Sequence, residues 1–148
     1  MPEQETVNRA RRDKRAGKAP STQAGEFVRE EIHHIREGKH GARSTKQAIA
    51  IGLSKARRAG VTLPRPPASA TATTKRSAAA ASRAGRRGTR PAPRRSRATL
   101  RALKRAKHSV VSRQALSRQA KAAARRRSAA SRRAAARRAA RTRQREGR

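Results

Sequence analysis

Residues 44–60 read STKQAIAIGLSKARRAG, and this stretch determines the fold predicted for the chain. Ser44 followed three residues later by Gln47 is the signature of a capping box, which begins a helix by pairing its first free backbone amides. Apolar residues then recur at helical spacing. Cations in the last turn, Gly60 just past the end and Pro64 beyond it terminate the helix. The stretch therefore predicts one helix with clear boundaries.

A preceding helix is predicted over residues 21–37, with Ser21 as its N-cap and Gly38 at its end. The short link over residues 38–43 favours a helical hairpin. Gly52 costs about 1 kcal/mol in a helix interior, so it indicates a point of close approach between the helices. The predicted core is thin and consists of Phe27, Val28, Ile32, Ile35, Ile49, Ile51, Leu53, Val61 and Leu63.

The composition limits how much of the chain can fold. The chain has 148 residues, with 42 Lys and Arg against 8 Asp and Glu and a net charge of +34. Residues 1–37 are nearly neutral, whereas residues 38–148 contain one acidic residue, Glu146. Chains with few large apolar residues and a high net charge tend to be disordered. A hairpin of about 43 residues is marginal alone, so it is expected to be stabilised by dimerisation or by its ligand.

The predicted fold class is thus a small all-α hairpin with a mostly disordered, helix-prone basic tail. Four regions follow from it: a flexible N-terminal arm at 1–20, the hairpin at 21–63, a linker at 64–93 and the tail at 94–148. The linker is rich in Pro, Ala and Ser, and the tail is rich in Arg and Ala.

The basic tail predicts nucleic-acid binding, because each cation that neutralises a phosphate releases a condensed counterion. Arginine predominates in it, and its planar group can pair with phosphate through two hydrogen bonds. The end of the second hairpin helix supplies three further cations. The candidate nucleic-acid-binding residues are Arg94, Arg95, Arg97, Arg101, Lys104, Arg105, Lys107, Arg125, Arg126, Arg127, Arg132, Arg133, Arg137, Arg138, Arg141 and Arg143, with Lys55, Arg57 and Arg58.

Other functions are not predicted. The sequence shows no nucleophile and base in a catalytic arrangement, so no enzyme activity, small-molecule substrate or cofactor is expected. It contains no Cys, no secretory signal and no run of apolar residues long enough for a membrane span. The residues that suggest a metal site are His33, His34, Glu30, Glu37 and His40. His33 and His34 point about 100° apart on a helix, which favours a polar solvent-exposed face and no metal.

The run Lys46–Gly60 resembles the signature of a family of small basic bacterial proteins of unknown function that are often labelled DNA-binding. The resemblance covers residues 24–63, with a weaker match at residues 115–120. The tail separately resembles bacterial linker-histone-like proteins, although these use Lys, Ala and Pro repeats where this chain uses Arg. The resemblance implies a histone-like, nucleoid-associated protein.

The sequence therefore predicts a cytoplasmic protein of the nucleoid that binds DNA without sequence preference. Two alternatives stay open. Phosphate contacts alone do not separate DNA from RNA, so the chain is also consistent with an RNA- or ribosome-associated protein. The hairpin is also consistent with a protein-interaction module, or with a homodimer contact, that the basic tail localises.

Overall fold

The computed structural model describes residues 2–147, apart from the side chain of Glu146. These residues contain seven α-helices and one short 3₁₀ turn, and no strand is found among them. The chain divides into two compact units, Met1–Val111 and Ser112–Arg148.

The first unit contains five helices, and its first four pack in chain order, each against the next. A 3₁₀ turn, Ser109–Val111, closes the unit. The five helices are α1 (Gln4–Arg15), α2 (Pro20–Arg36), α3 (Thr45–Arg58), α4 (Ala72–Arg87) and α5 (Pro93–Lys104). The second unit contains α6 (Arg113–Arg125) and α7 (Ala129–Glu146).

The boundaries of α3 are those that the sequence predicts. The Ser44 hydroxyl accepts a hydrogen bond from the Gln47 amide at 3.2 Å, as a capping box requires. Gly60 adopts a φ of 89°, which costs glycine little and other residues much more. This turn lets the Val61 amide donate to the carbonyl of Ala56 at 3.0 Å, the contact of a Schellman C-cap.

Helices α2 and α3 approach closely at Gly52, as the sequence also indicates. A Cβ atom added at Gly52 would lie 2.7 Å from the Cα of Val28. No real Cβ fits at that distance from another backbone, so glycine is what allows this helix contact.

The core has two parts, and both contain small residues. Phe27, fully buried, contacts the buried Ala10 and Ala24 where α1, α2 and α3 meet. Ile35, also fully buried, packs with Val111 from the 3₁₀ turn and with other residues of the second cluster. Of the nine predicted core residues only Phe27 and Ile35 are fully buried, and the others are partly exposed.

A segment far along the chain is attached to the link between α2 and α3. The Gly41 amide donates to the carbonyl of Leu103 at 2.9 Å, and the Ala42 amide donates to that of Lys107 at 3.0 Å. A Cβ at Gly41 would lie 2.0 Å from the carbonyl oxygen of Ala106. These contacts fix the C-terminal end of α5 on the body of the first unit.

The predicted fold class, a hairpin with a disordered tail, is wrong. Residues 1–20, expected to be flexible, contain α1, which packs on α2. It buries Thr6 and Ala10 and pairs Arg9 with Glu26 at 2.7 Å. The expected linker contains α4, which begins at the N-cap Thr71 and packs on α3.

The tail is helical where disorder was expected. The hydroxyls of Ser112 and Ser128 cap α6 and α7 by accepting hydrogen bonds from the backbone amides of Ala115 and Ser131. Between the caps the residues are mainly Ala, Arg and Gln, which are strong helix formers. The helix propensity of the tail residues therefore determines their local structure, although their positive charge opposes compaction.

Candidate nucleic-acid interface

Helix α5 presents a stripe of cations. At about 100° per residue, Arg94, Arg97, Arg101 and Lys104 fall within an arc of about 80° on its surface. All four are exposed, and α5 buries none of its residues. The contacts at Gly41 hold the C-terminal end of α5, so this end of the stripe is attached to the first unit.

Helix α7 presents a second stripe. Arg133, Arg137 and Arg141 follow one another at intervals of four residues, which places them within an arc of about 80°. They line one surface groove together with Arg138. Arg138 lies about 140° from Arg133 around the helix, and all four side chains line the same groove.

The second unit lacks a buried core. No described side chain between residues 112 and 147 is buried. Its helices therefore expose cations on most of their surface, with 14 basic residues and one acidic residue in the unit. Neither helix carries an acidic residue in its first turn, so the partial positive charge of each N-terminus is not offset by a neighbouring carboxylate.

The predicted binding residues divide into two groups in the structure. All sixteen between Arg94 and Arg143 are exposed, as is Arg58. Lys55 is not, since its ammonium lies 2.9 Å from carboxylate oxygens of both Glu30 and Glu31. Arg57 is half-buried and donates to the carbonyl of Pro64, and burial lowers the pKa of its guanidinium. Lys55 and Arg57 thus stabilise the first unit.

A cluster beside Lys55 combines His34 and His40, which the sequence suggested as metal-site residues, with Glu31, which it did not. Glu31, His34 and His40 bring possible metal-ligating atoms within 4.8 Å of one another. Glu30 and His40 are buried, so the expected polar solvent-exposed face is wrong for these two residues, and Glu31 is buried as well. The available signal was the spacing Glu31-x-x-His34, which places both side chains on one face of a helix.

The family comparison covers α1 to α3. The sequence profile of DUF6496, a family of unknown function, matches residues 3–66. The matched span contains residues 24–63, the part of the chain that resembles a family of unknown function. The description of DUF6496 names no activity. No curated protein matches the chain, and no solved structure does. Within the described residues, every helix is too short or too polar to cross a membrane.

Proposed function

We propose that this protein binds double-stranded DNA through its phosphates, without reading the base sequence, as a nucleoid-associated protein of the linker-histone-like kind. The observation that carries the proposal is the exposure of the cations on α5 and α7 in stripes that contain no acidic residue. The protein uses no catalytic group and no cofactor in this function.

The spacing of the cations supports binding along a phosphate backbone. From Arg94 to Lys104 the α5 stripe extends about 15 Å. Duplex DNA presents one negative charge per about 1.7 Å, or about nine over that length. Phosphates therefore outnumber the cations of one stripe, so each cation can find a partner without a fixed register. This favours binding that is indifferent to sequence.

Binding by base stacking is not supported. Proteins that hold single strands use exposed aromatic side chains as platforms. The only aromatic residue of the types Phe, Tyr and Trp is Phe27, and it is fully buried. The affinity must then come from phosphate contacts, which are strongly weakened by salt.

A charge-matched pair of variants tests the proposal. In one variant of the full chain, the three arginines of the α7 stripe at positions 133, 137 and 141 become Gln, which keeps the helix propensity. In the control, three exposed arginines of α1, at positions 11, 12 and 15, become Gln. Both variants lose three charges. Binding to a DNA duplex is measured by gel shift or fluorescence anisotropy across a range of salt concentrations.

The α7 variant should lower the magnitude of the slope of log K against log salt by about 2.7, from 0.9 for each phosphate contact. The control should retain the wild-type slope. Equal changes in both variants would mean that net charge alone matters and would overturn the assignment to α7. Competition with an RNA duplex of the same length distinguishes the RNA-associated alternative: tighter binding to RNA would favour it.

A further inference from the structure

A buried cluster in the first unit combines acidic and imidazole groups from two elements. Glu31 and His34 come from α2, and His40 comes from the link after it. The rings of His34 and His40 are 6.3 Å apart between centroids and nearly perpendicular. Glu31 Oε1 lies 3.4 Å from His40 Nε2. The cluster is separate from the basic stripes.

The hydrogen bonds around the two imidazoles indicate which nitrogen of each neutral ring has a lone pair. His40 Nδ1 lies 3.2 Å from the carbonyl oxygen of Gly41. Since a carbonyl can only accept, Nδ1 carries the hydrogen, and in the neutral ring Nε2 has a lone pair. His34 Nε2 lies 2.8 Å from Glu3 Oε1, so by the same argument its Nδ1 has the lone pair. Histidines that ligate metals are commonly oriented in this way by carbonyl or carboxylate partners.

Glu31 is the third component of the cluster. Its side chain is fully buried, and neither carboxylate oxygen accepts a well-directed hydrogen bond. The ammonium of Lys55 is near Oε2, and Oε1 faces His40 Nε2, which has a lone pair in the tautomer with the hydrogen on Nδ1. Two lone pairs that face each other repel, unless a cation lies between them.

The charges of the surroundings also favour an added cation. Among the described residues, the two buried carboxylates of Glu30 and Glu31 share one ammonium, that of Lys55. An unbalanced buried charge is costly.

We infer that Glu31, His34 and His40 form a binding site for a divalent transition-metal ion, with Zn²⁺ as the ion that best fits the ligands. The ligating atoms are Glu31 Oε1, His34 Nδ1 and His40 Nε2. Two ligands each about 2.1 Å from a tetrahedral ion are about 3.4 Å apart, which is the distance between Glu31 Oε1 and His40 Nε2. Two imidazoles and a carboxylate suit Zn²⁺ better than Mg²⁺ or Ca²⁺, which prefer oxygen ligands.

The site joins α2 to the link that follows it, and this gives the ion a structural role. Glu31 and His34 lie on the last turns of α2, and His40 lies next to Gly41, whose amide pairs with Leu103. Ion binding to the folded state adds to its stability, because the unfolded chain offers no formed site.

The test uses the full chain without an affinity tag, with Zn²⁺ added alone at neutral pH. Isothermal titration calorimetry should show one ion bound per chain with micromolar or tighter affinity, and thermal unfolding should shift upward. Co²⁺ in its place should give the visible absorption of a tetrahedral site. The variants His40→Ala, His34→Gln and Glu31→Gln should each weaken Zn²⁺ binding by about 10-fold to 100-fold or more. A loss of about 10-fold to 100-fold is already seen when only a residue that hydrogen-bonds to a metal ligand is removed.

The controls are His33→Ala and His108→Ala, which remove exposed histidines and should leave the affinity unchanged. His34 is partly exposed, with 12% of its side chain accessible, so His34→Gln is the variant expected to keep the fold, as checked by circular dichroism. Absence of Zn²⁺ uptake by the wild-type chain, or equal loss in the control variants, would overturn the site.

Discussion

The close approach of α2 and α3 at Gly52 makes a sharp prediction about stability. Replacing Gly52 with Ala gains about 1 kcal/mol of helix propensity. The new Cβ would lie 2.7 Å from the Cα of Val28 and 3.0 Å from its backbone nitrogen. Because these are backbone atoms, relief requires the two helices to move apart, and overpacking costs about 1–3 kcal/mol. At the upper end of that range, Gly52→Ala destabilises the first unit by about 2 kcal/mol.

The chain offers a matched control in Gly25. It lies in α2, is exposed, and has no atom within 4 Å of an added Cβ. Gly25→Ala should therefore gain the propensity without a clash and stabilise the chain by about 0.5–1 kcal/mol. The same chemical change at the two glycines thus differs by about 3 kcal/mol in its effect, because only one of them lies between helices.

The assay is urea unfolding followed by circular dichroism, since the chain has no Trp or Tyr for fluorescence. The midpoint should fall for Gly52→Ala and rise for Gly25→Ala, and the slope of unfolding free energy against urea should stay constant. If both variants raise the midpoint, the helices are not in backbone contact at Gly52, and the packing described for α2 and α3 is wrong.

Three further substitutions test other parts of the first unit by the same measurement. Ser44→Ala removes the N-cap of α3 and should cost about 1 kcal/mol; an unchanged midpoint would contradict the cap. Phe27→Ala leaves a cavity in the core and should cost about 3–5 kcal/mol, so a midpoint close to that of the wild type would show that the core lies elsewhere. Lys55→Met leaves the carboxylates of Glu30 and Glu31 without their ammonium and should cost about 3–5 kcal/mol; a stabilised variant would show that the ion pairs are not required.

The parts of the fold that the sequence predicts are those governed by local interactions. The side-chain cap at Ser44 and the turn at Gly60 depend on residues within one helical turn, and the structure has both. The close contact at Gly52 is also confirmed, because a costly glycine in a helix interior is itself a signal. These features need no knowledge of distant parts of the chain.

The packing of α1 and α4 was missed because it relies on small residues. A search for large apolar side chains finds only Val7 in α1, whereas the buried residues there are Thr6 and Ala10. In α4 the buried residues are Ala78 and Ala81. Alanine and threonine can occupy either the surface or a tight helix contact, so only the tertiary structure shows which applies.

The candidate sites were predicted unevenly for a similar reason. Exposed arginines are evident from composition, and the stripe on α5 follows from helical spacing once the helix is known. The environment of Lys55 is different, because its partners lie far away in the sequence. Glu30, for example, precedes Lys55 by 25 residues. A charged residue within a basic segment was therefore assigned to phosphate binding, although it stabilises a buried acidic pair.

The attachment of residues 103–111 to the link after α2 has a practical consequence for fragments of this protein. A fragment cut at residue 66, where the family match ends, would lack Val111 and would uncover the apolar surface of Ile35, Ala42 and Ala48. It would also leave the amides of Gly41 and Ala42 unpaired. Such a fragment would be prone to aggregate, so expression of the N-terminal part should extend at least to Val111.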